Sequence, residues 1–140
     1  MAISASLKEN IFPSIVIRES PGYGGEVSTY PVKDKMVICL SGLGRDTSQI
    51  LNNSEWTDII NTASLGIQLT NVNLRTAIKT GRLFTEKAGL MNESLSEILE
   101  QVPMGAVASV AHLGTSIIAT SDDVLGLRSA LENFGEIREF

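Results

Sequence analysis

"MVICLSGLGRDTSQIL", Met36 to Leu51, joins a continuous apolar run to a glycine-bearing loop and then to the start of a helix. An apolar run of this kind is what a strand covered on one or both faces looks like. A loop between strand and helix can aim free N–H groups at an anion, and Arg45 adds a charge-assisted donor. Thr47 and Ser48 suit a helix cap. Against a phosphate loop, no lysine follows in the Walker pattern and no Gly-x-Gly-x-x-Gly is completed. On the residues alone, the glycines read first as an ordinary tight turn.

Outward from this strand, the pattern divides cleanly. "PSIVIRES", Pro13 to Ser20, is a β-branched run closed by the loop "SPGYGG", and reads as a strand. "EVSTYPV" alternates as a second strand, with Pro31 suited to an edge. Downstream, Trp56, Ile59, Ile60, Ala63 and Ile67 recur at helical spacing. Leu74, Ala77, Ile78, Gly81 and Phe84 repeat that spacing, with Asn71 or Asn73 as N-cap. In "SLSEILEQV", Ser94 and Glu97 have capping-box spacing, and Leu95, Ile98, Leu99 and Val102 form the apolar face.

Two strands return in "GAVASVAH" and "TSIIATS", joined by a short connection. Ser121 or Asp122 caps a last helix carrying Val124, Leu127, Leu131 and Phe134, and Gly135 stands where a left-handed C′ residue would end it. "EIREF" adds a final short strand. The order predicts an α+β fold, an antiparallel sheet with helices on one face. Residues 1–140 form a single domain with no repeat or low-complexity segment.

Composition narrows the function classes. Of 140 residues, 43% are hydrophobic and 19% charged, which suits a folded chain and argues against disorder. A net charge of −5 leaves no basic surplus to drive binding to nucleic acid or anionic lipid. The single Cys39 excludes an intramolecular disulfide and any metal site built on cysteine pairs. No apolar run reaches the roughly 18 residues of a membrane span, and the first ten residues lack a signal-peptide pattern. A cytoplasmic setting is the expectation. His112 is the sole histidine, so a histidine triad or multi-histidine metal site has no partners to choose from. No metal ligands are expected. Asp122 and Asp123 lie where helix caps are wanted, and Arg18 with Glu19 reads as paired or solvated surface.

Order and wording say more. "ASVAHLGTSIIA", Ala108 to Ala119, resembles the C-terminal glycine motif of the GHMP kinases, the group holding homoserine, mevalonate and galactose kinases. Within that group it is most similar to the archaeal pantoate kinases, through Ser109, Ala111, Leu113, Gly114 and Ala119. Thr115 and Ser116 keep a polar pair, while His112 departs from the family's methionine. "IVIRESPGYGGEV" is similar through Arg18, Pro21, Gly22, Gly25, Glu26 and Val27. The opening stretch matches at Ser41, Gly44, Thr47, Ser48 and Leu51. The resemblance runs from about Ile15 to Glu136.

The resemblance implies a GHMP C-terminal fold, a ferredoxin-like sandwich with extra helices. It also implies ATP-dependent phosphorylation of pantoate on the route to coenzyme A. Gly114, Thr115 and Ser116 would lie near the substrate or the phosphate loop, with Gly44, and with Arg18 or Arg45 meeting a substrate carboxylate. Catalytic residues are not assigned. GHMP kinases hold ATP mainly through an N-terminal domain whose loop reads Pro-x-x-x-Gly-Leu-Gly-Ser-Ser, and this sequence begins about where the family's second domain begins. The expectation is therefore the C-terminal half or subunit of a split kinase, inactive alone. ATP and Mg2+ would enter only with a separate N-terminal domain, none being intrinsic to this chain. The rival reading is a non-catalytic module that binds a small ligand or makes a homodimer.

Overall fold

The structure is a computed structural model that describes residues 2–4, 14–18, 27–42, 48, 52–65, 67, 71–111 and 116–140. In chain order the elements are β1 (Ala2–Ser4), β2 (Ser14–Arg18), β3 (Val27–Pro31) and β4 (Met36–Leu40). Next come α1 (Ser54–Ser64), α2 (Leu74–Lys87) and α3 (Glu93–Glu100). Then follow β5 (Val107–Ala111), β6 (Ser116–Thr120), α4 (Val124–Leu131) and β7 (Glu136–Glu139).

The strands form two antiparallel sheets, one in the order β1-β2-β3 and one in the order β5-β6-β4-β7. The apolar run "MVICL" is thus an inner strand, flanked by β6 and β7. Its continuity follows from that position, since an inner strand covered on both faces has no polar side to show. From β4 onward the succession β-α-β-β-α-β, with its first and third strands adjacent, is the split β-α-β arrangement of ferredoxin-like folds.

Helices cover both faces, a correction to the one-faced sheet expected from element order. On one face Val37, Cys39, Ile117 and Ala119 meet Leu95, Ile98 and Leu99 of α3 and Leu127 and Leu131 of α4. On the other, Met36 and Ile118 meet Leu74, Ala77 and Ile78 of α2, with Ile15 of β2 and Val32. The physical reason lies in β6, where all five residues are buried, so each face of that strand needs a cover. Each fully buried Leu or Ile contributes about 1.5–3 kcal/mol through area removed from water. Ile15 and Val32 in that second cluster bind the small sheet to the large one.

Local signals account for the helix starts, with corrections. Asn73 caps α2 in a reciprocal box. Its side chain accepts from the Thr76 N–H at 3.0 Å, and Thr76 Oγ1 accepts from the Asn73 N–H at 3.1 Å. The cap of α3 is Asn92, not Ser94, and its Oδ1 accepts from the Leu95 N–H at 2.8 Å. With Asn92 as cap the third helical position is Leu95, so Glu97 has no box to close. Asp123 caps α4, where Ser121 or Asp122 was expected; Ser121 Oγ instead accepts from the Asp123 N–H at 3.1 Å. The α1 stripe stops short of Ile67, because the helix ends at Ser64.

Gly135 is also used differently. The glycines with positive φ among the described residues are Gly42, Gly89 and Gly105. Gly135 is instead needed for close approach: a Cβ there would overlap the Leu40 carbonyl oxygen and sit 2.6 Å from its carbon.

Candidate functional site

The three stretches that carry the resemblance map onto β2–β3, onto β4 with its following loop, and onto β5–β6. Register brings two of them together. Cys39 lies opposite Ile117, and Ala111 lies opposite Ser116. The C-terminal end of β4 and the start of β6 therefore share one end of the large sheet. Ser116 is 4% exposed there, too enclosed to meet bulk solvent. Gly42 follows β4 with φ of +65° and open space around its missing side chain, so a turn sets its identity.

The remaining expected residues divide. Arg18 closes β2, opposite Val27, in the small sheet. Gly44, Arg45, Gly114 and Thr115 lie outside the described residues, as does His112. In sequence, Gly44 and Arg45 follow β4, and Gly114 and Thr115 precede Ser116.

The opposite end of the sheet carries a cleft that sequence reasoning missed. Its volume is about 480 Å³, and Lys33, Asp34, Lys35, Arg75, Asp122 and Asp123 line it. Three cations and three carboxylates line it, from three segments separated in sequence, and the only local hint is the Lys-Asp-Lys run before β4. Several of these groups already serve the fold. Asp123 Oδ1 accepts from the Gly126 N–H at 2.9 Å. Arg75 Nη1 donates to the Gly105 carbonyl at 2.8 Å, and Thr120 Oγ1 donates to the Lys35 carbonyl at 2.7 Å. No nucleophile is paired with a base among these contacts.

Burial pushes the Cys39 thiol above its ordinary range, and its Sγ lies 3.5 Å from the Leu131 carbonyl. A raised thiol is the reverse of an activated nucleophile. Among the described residues no group of three or more His, Cys, Asp or Glu is placed to hold a metal ion. No described helix is long and apolar enough to cross a membrane.

Comparison with known proteins bears on the fold first. A solved structure described as a phosphotransferase related to the CoA biosynthesis pathway shares this fold, with a TM-score of 0.58 over 89% of this chain and 43% of that one, at 21% identity. In sequence, the chain is similar to pantoate kinase of Methanocaldococcus jannaschii, 29% identical over 110 residues. That match takes in 76% of this chain and 41% of the relative, so the chain spans about two-fifths of the length of the proteins it matches. No protein-family model matches the chain.

Proposed function

We propose that this chain is the C-terminal, GHMP-type half of a kinase that phosphorylates pantoate in coenzyme A synthesis. An N-terminal ATP-binding domain completes it, and the chain alone is inactive. The observation that carries this reading is the similarity to pantoate kinase over 110 residues. The fold adds support, because the C-terminal end of β4 and the start of β6, each part of a stretch that carries the resemblance, share one end of one sheet.

In a phosphoryl transfer the protein mainly positions groups and neutralises charge. In this reading Gly114 lets backbone approach the phosphate loop of the ATP-binding domain. Thr115 supplies hydroxyl and backbone donors beside it, with the enclosed Ser116 next in sequence, and Arg18 or Arg45 takes the pantoate carboxylate as a fork. ATP and Mg2+ belong to the completed enzyme.

The test is reconstitution. The chain is assayed with Mg-ATP and pantoate, alone and together with a GHMP N-terminal ATP-binding domain. The expected result is turnover only in the completed enzyme, lost in Gly114→Val while circular dichroism of the variant is unchanged. Turnover by the chain alone refutes the half-enzyme reading. Full activity of the folded variant in the completed enzyme removes the connection from the chemistry, and a completed enzyme inert toward pantoate favours the non-catalytic module.

A further inference from the structure

The large sheet ends at β7, whose outer side pairs with no strand among the described residues. Exposed edges usually invite uncontrolled pairing, and charged side chains are the common protection. β7 reads Glu-Ile-Arg-Glu, and its Glu136 and Arg138 side chains are 64% and 57% exposed. Those charges do more than repel.

The pairing with β4 fixes which backbone groups face outward. Met36 and Phe140 exchange both N–H···O bonds, at 3.1 and 2.9 Å. Bonded and non-bonded pairs alternate along an antiparallel ladder. Hence Ile38–Arg138 and Leu40–Glu136 are also bonded pairs, in the register Val37–Glu139, Ile38–Arg138, Cys39–Ile137 and Leu40–Glu136. The N–H and C=O groups of Ile137 and Glu139 consequently point away from β4, toward the free edge.

We propose that this edge pairs with β7 of a second copy of the chain, antiparallel, about a two-fold axis at Ile137. An isologous interface requires a self-complementary patch, and this register supplies one. The outward groups of Ile137 bond those of its counterpart. Glu136 then lies opposite Arg138 of the second copy, and Arg138 opposite its Glu136. These are the non-bonded positions, where facing side chains approach most closely. Moving the axis one residue either way sets Arg138 against Arg138, or Glu136 against Glu136. Like charges directly opposite are unfavourable, so the charges reject the neighbouring registers and admit one. The product is a dimer with a continuous eight-stranded sheet. This inference is independent of the kinase reading.

Charge exchange tests it. Arg138→Glu leaves two facing acids on each edge and Glu136→Arg leaves two facing bases. Sedimentation of the wild-type chain across micromolar concentrations is expected to give a dimer. Each single variant is expected to dissociate at least about tenfold more readily, with circular dichroism unchanged. An equimolar mixture of the two variants, and the double variant carrying both changes, are both expected to recover the dimer. A monomeric wild-type chain overturns the proposal, and so does a single variant that dimerises as well as wild type. Failure of both the mixture and the double variant to reassociate also overturns it, because complementarity would then not be what holds the copies together.

Discussion

Gly135 runs against Leu40 so tightly that the missing side chain is the fit: a Cβ would overlap the Leu40 carbonyl oxygen and lie 2.6 Å from its carbon. The obstacle is backbone of an inner strand, which has little freedom to give way. Gly135→Ala is expected to cost on the order of 1–3 kcal/mol, as overfilling a packed site does. Urea unfolding checks this, and a midpoint equal to wild type would show that the Leu40 backbone yields to a methyl group.

The start of α2 rests on one asparagine. Asn73 satisfies the Thr76 N–H and is itself served by the Thr76 hydroxyl, which also bonds the Asn71 carbonyl at 2.7 Å. Asn73→Ala should lower stability by about 0.5–2 kcal/mol, while Asn73→Asp or Asn73→Ser retains most of the cap. Thermal unfolding of the three variants makes the comparison.

Thr120 ties the end of β6 to the segment before β4. Its side chain is 2% exposed with Oγ1 donating to the Lys35 carbonyl at 2.7 Å. Thr120→Val keeps the shape and deletes the donor, for an expected loss of about 1 kcal/mol. Thr120→Ser should lose less of the bond but leave a small void. Denaturant melts of both variants separate hydrogen bonding from packing.

The Cys39 thiol offers a pH-dependent readout. It is fully buried and its pKa is raised by that burial above the ordinary value of 9.0. The folded state therefore keeps its proton where the unfolded chain has lost it. The stability tied to this difference is full below the ordinary thiol value, and declines as pH rises through it toward the folded-state value. As pH rises above the ordinary thiol value of 9.0, wild type should lose stability more steeply than Cys39→Ala. A thiol reagent should modify native protein only at the rate of unfolding, and rapid labelling of the native state would contradict that.

Much of this fold was legible because its signals are local. The helix stripes at 74–84 and 95–102 and the β4 run each follow from spacing within a few residues. The caps were legible by residue type but not by position. Asn92 and Ser94 are both good caps, and packing of Leu95 and Leu99 against the sheet decides where the helix begins. β1 escaped notice because three residues carry no readable period. The second covered face escaped because α2 meets Met36 and Ile118 only through tertiary contact. Gly135 shows the same limit, since its reason is a carbonyl almost a hundred positions away.

The candidate site was legible in a different way. Arg18, Ser116 and the glycine stretches drew attention through wording shared with a known family, not through any chemistry their spacing implies. What wording cannot supply is adjacency. That the β4 end and Ser116 share a sheet end depends on the β4–β6 register, which no local pattern encodes. The cleft lined by Arg75 and Asp123 was invisible for the same reason: its sides come from the segment before β4, from α2 and from the β6–α4 junction, which meet only in the folded chain.

The central place of β4 also has a consequence for the chain as it leaves the ribosome. "MVICL" is synthesised well before both strands that flank it, β6 and β7. While the intervening helices are being made, five apolar residues wait with unmatched backbone on both sides. Distant pairing of this kind slows folding and exposes nascent chains to association. The strand that organises the finished molecule is therefore its most vulnerable segment during birth, and the one a holding chaperone would be expected to grasp.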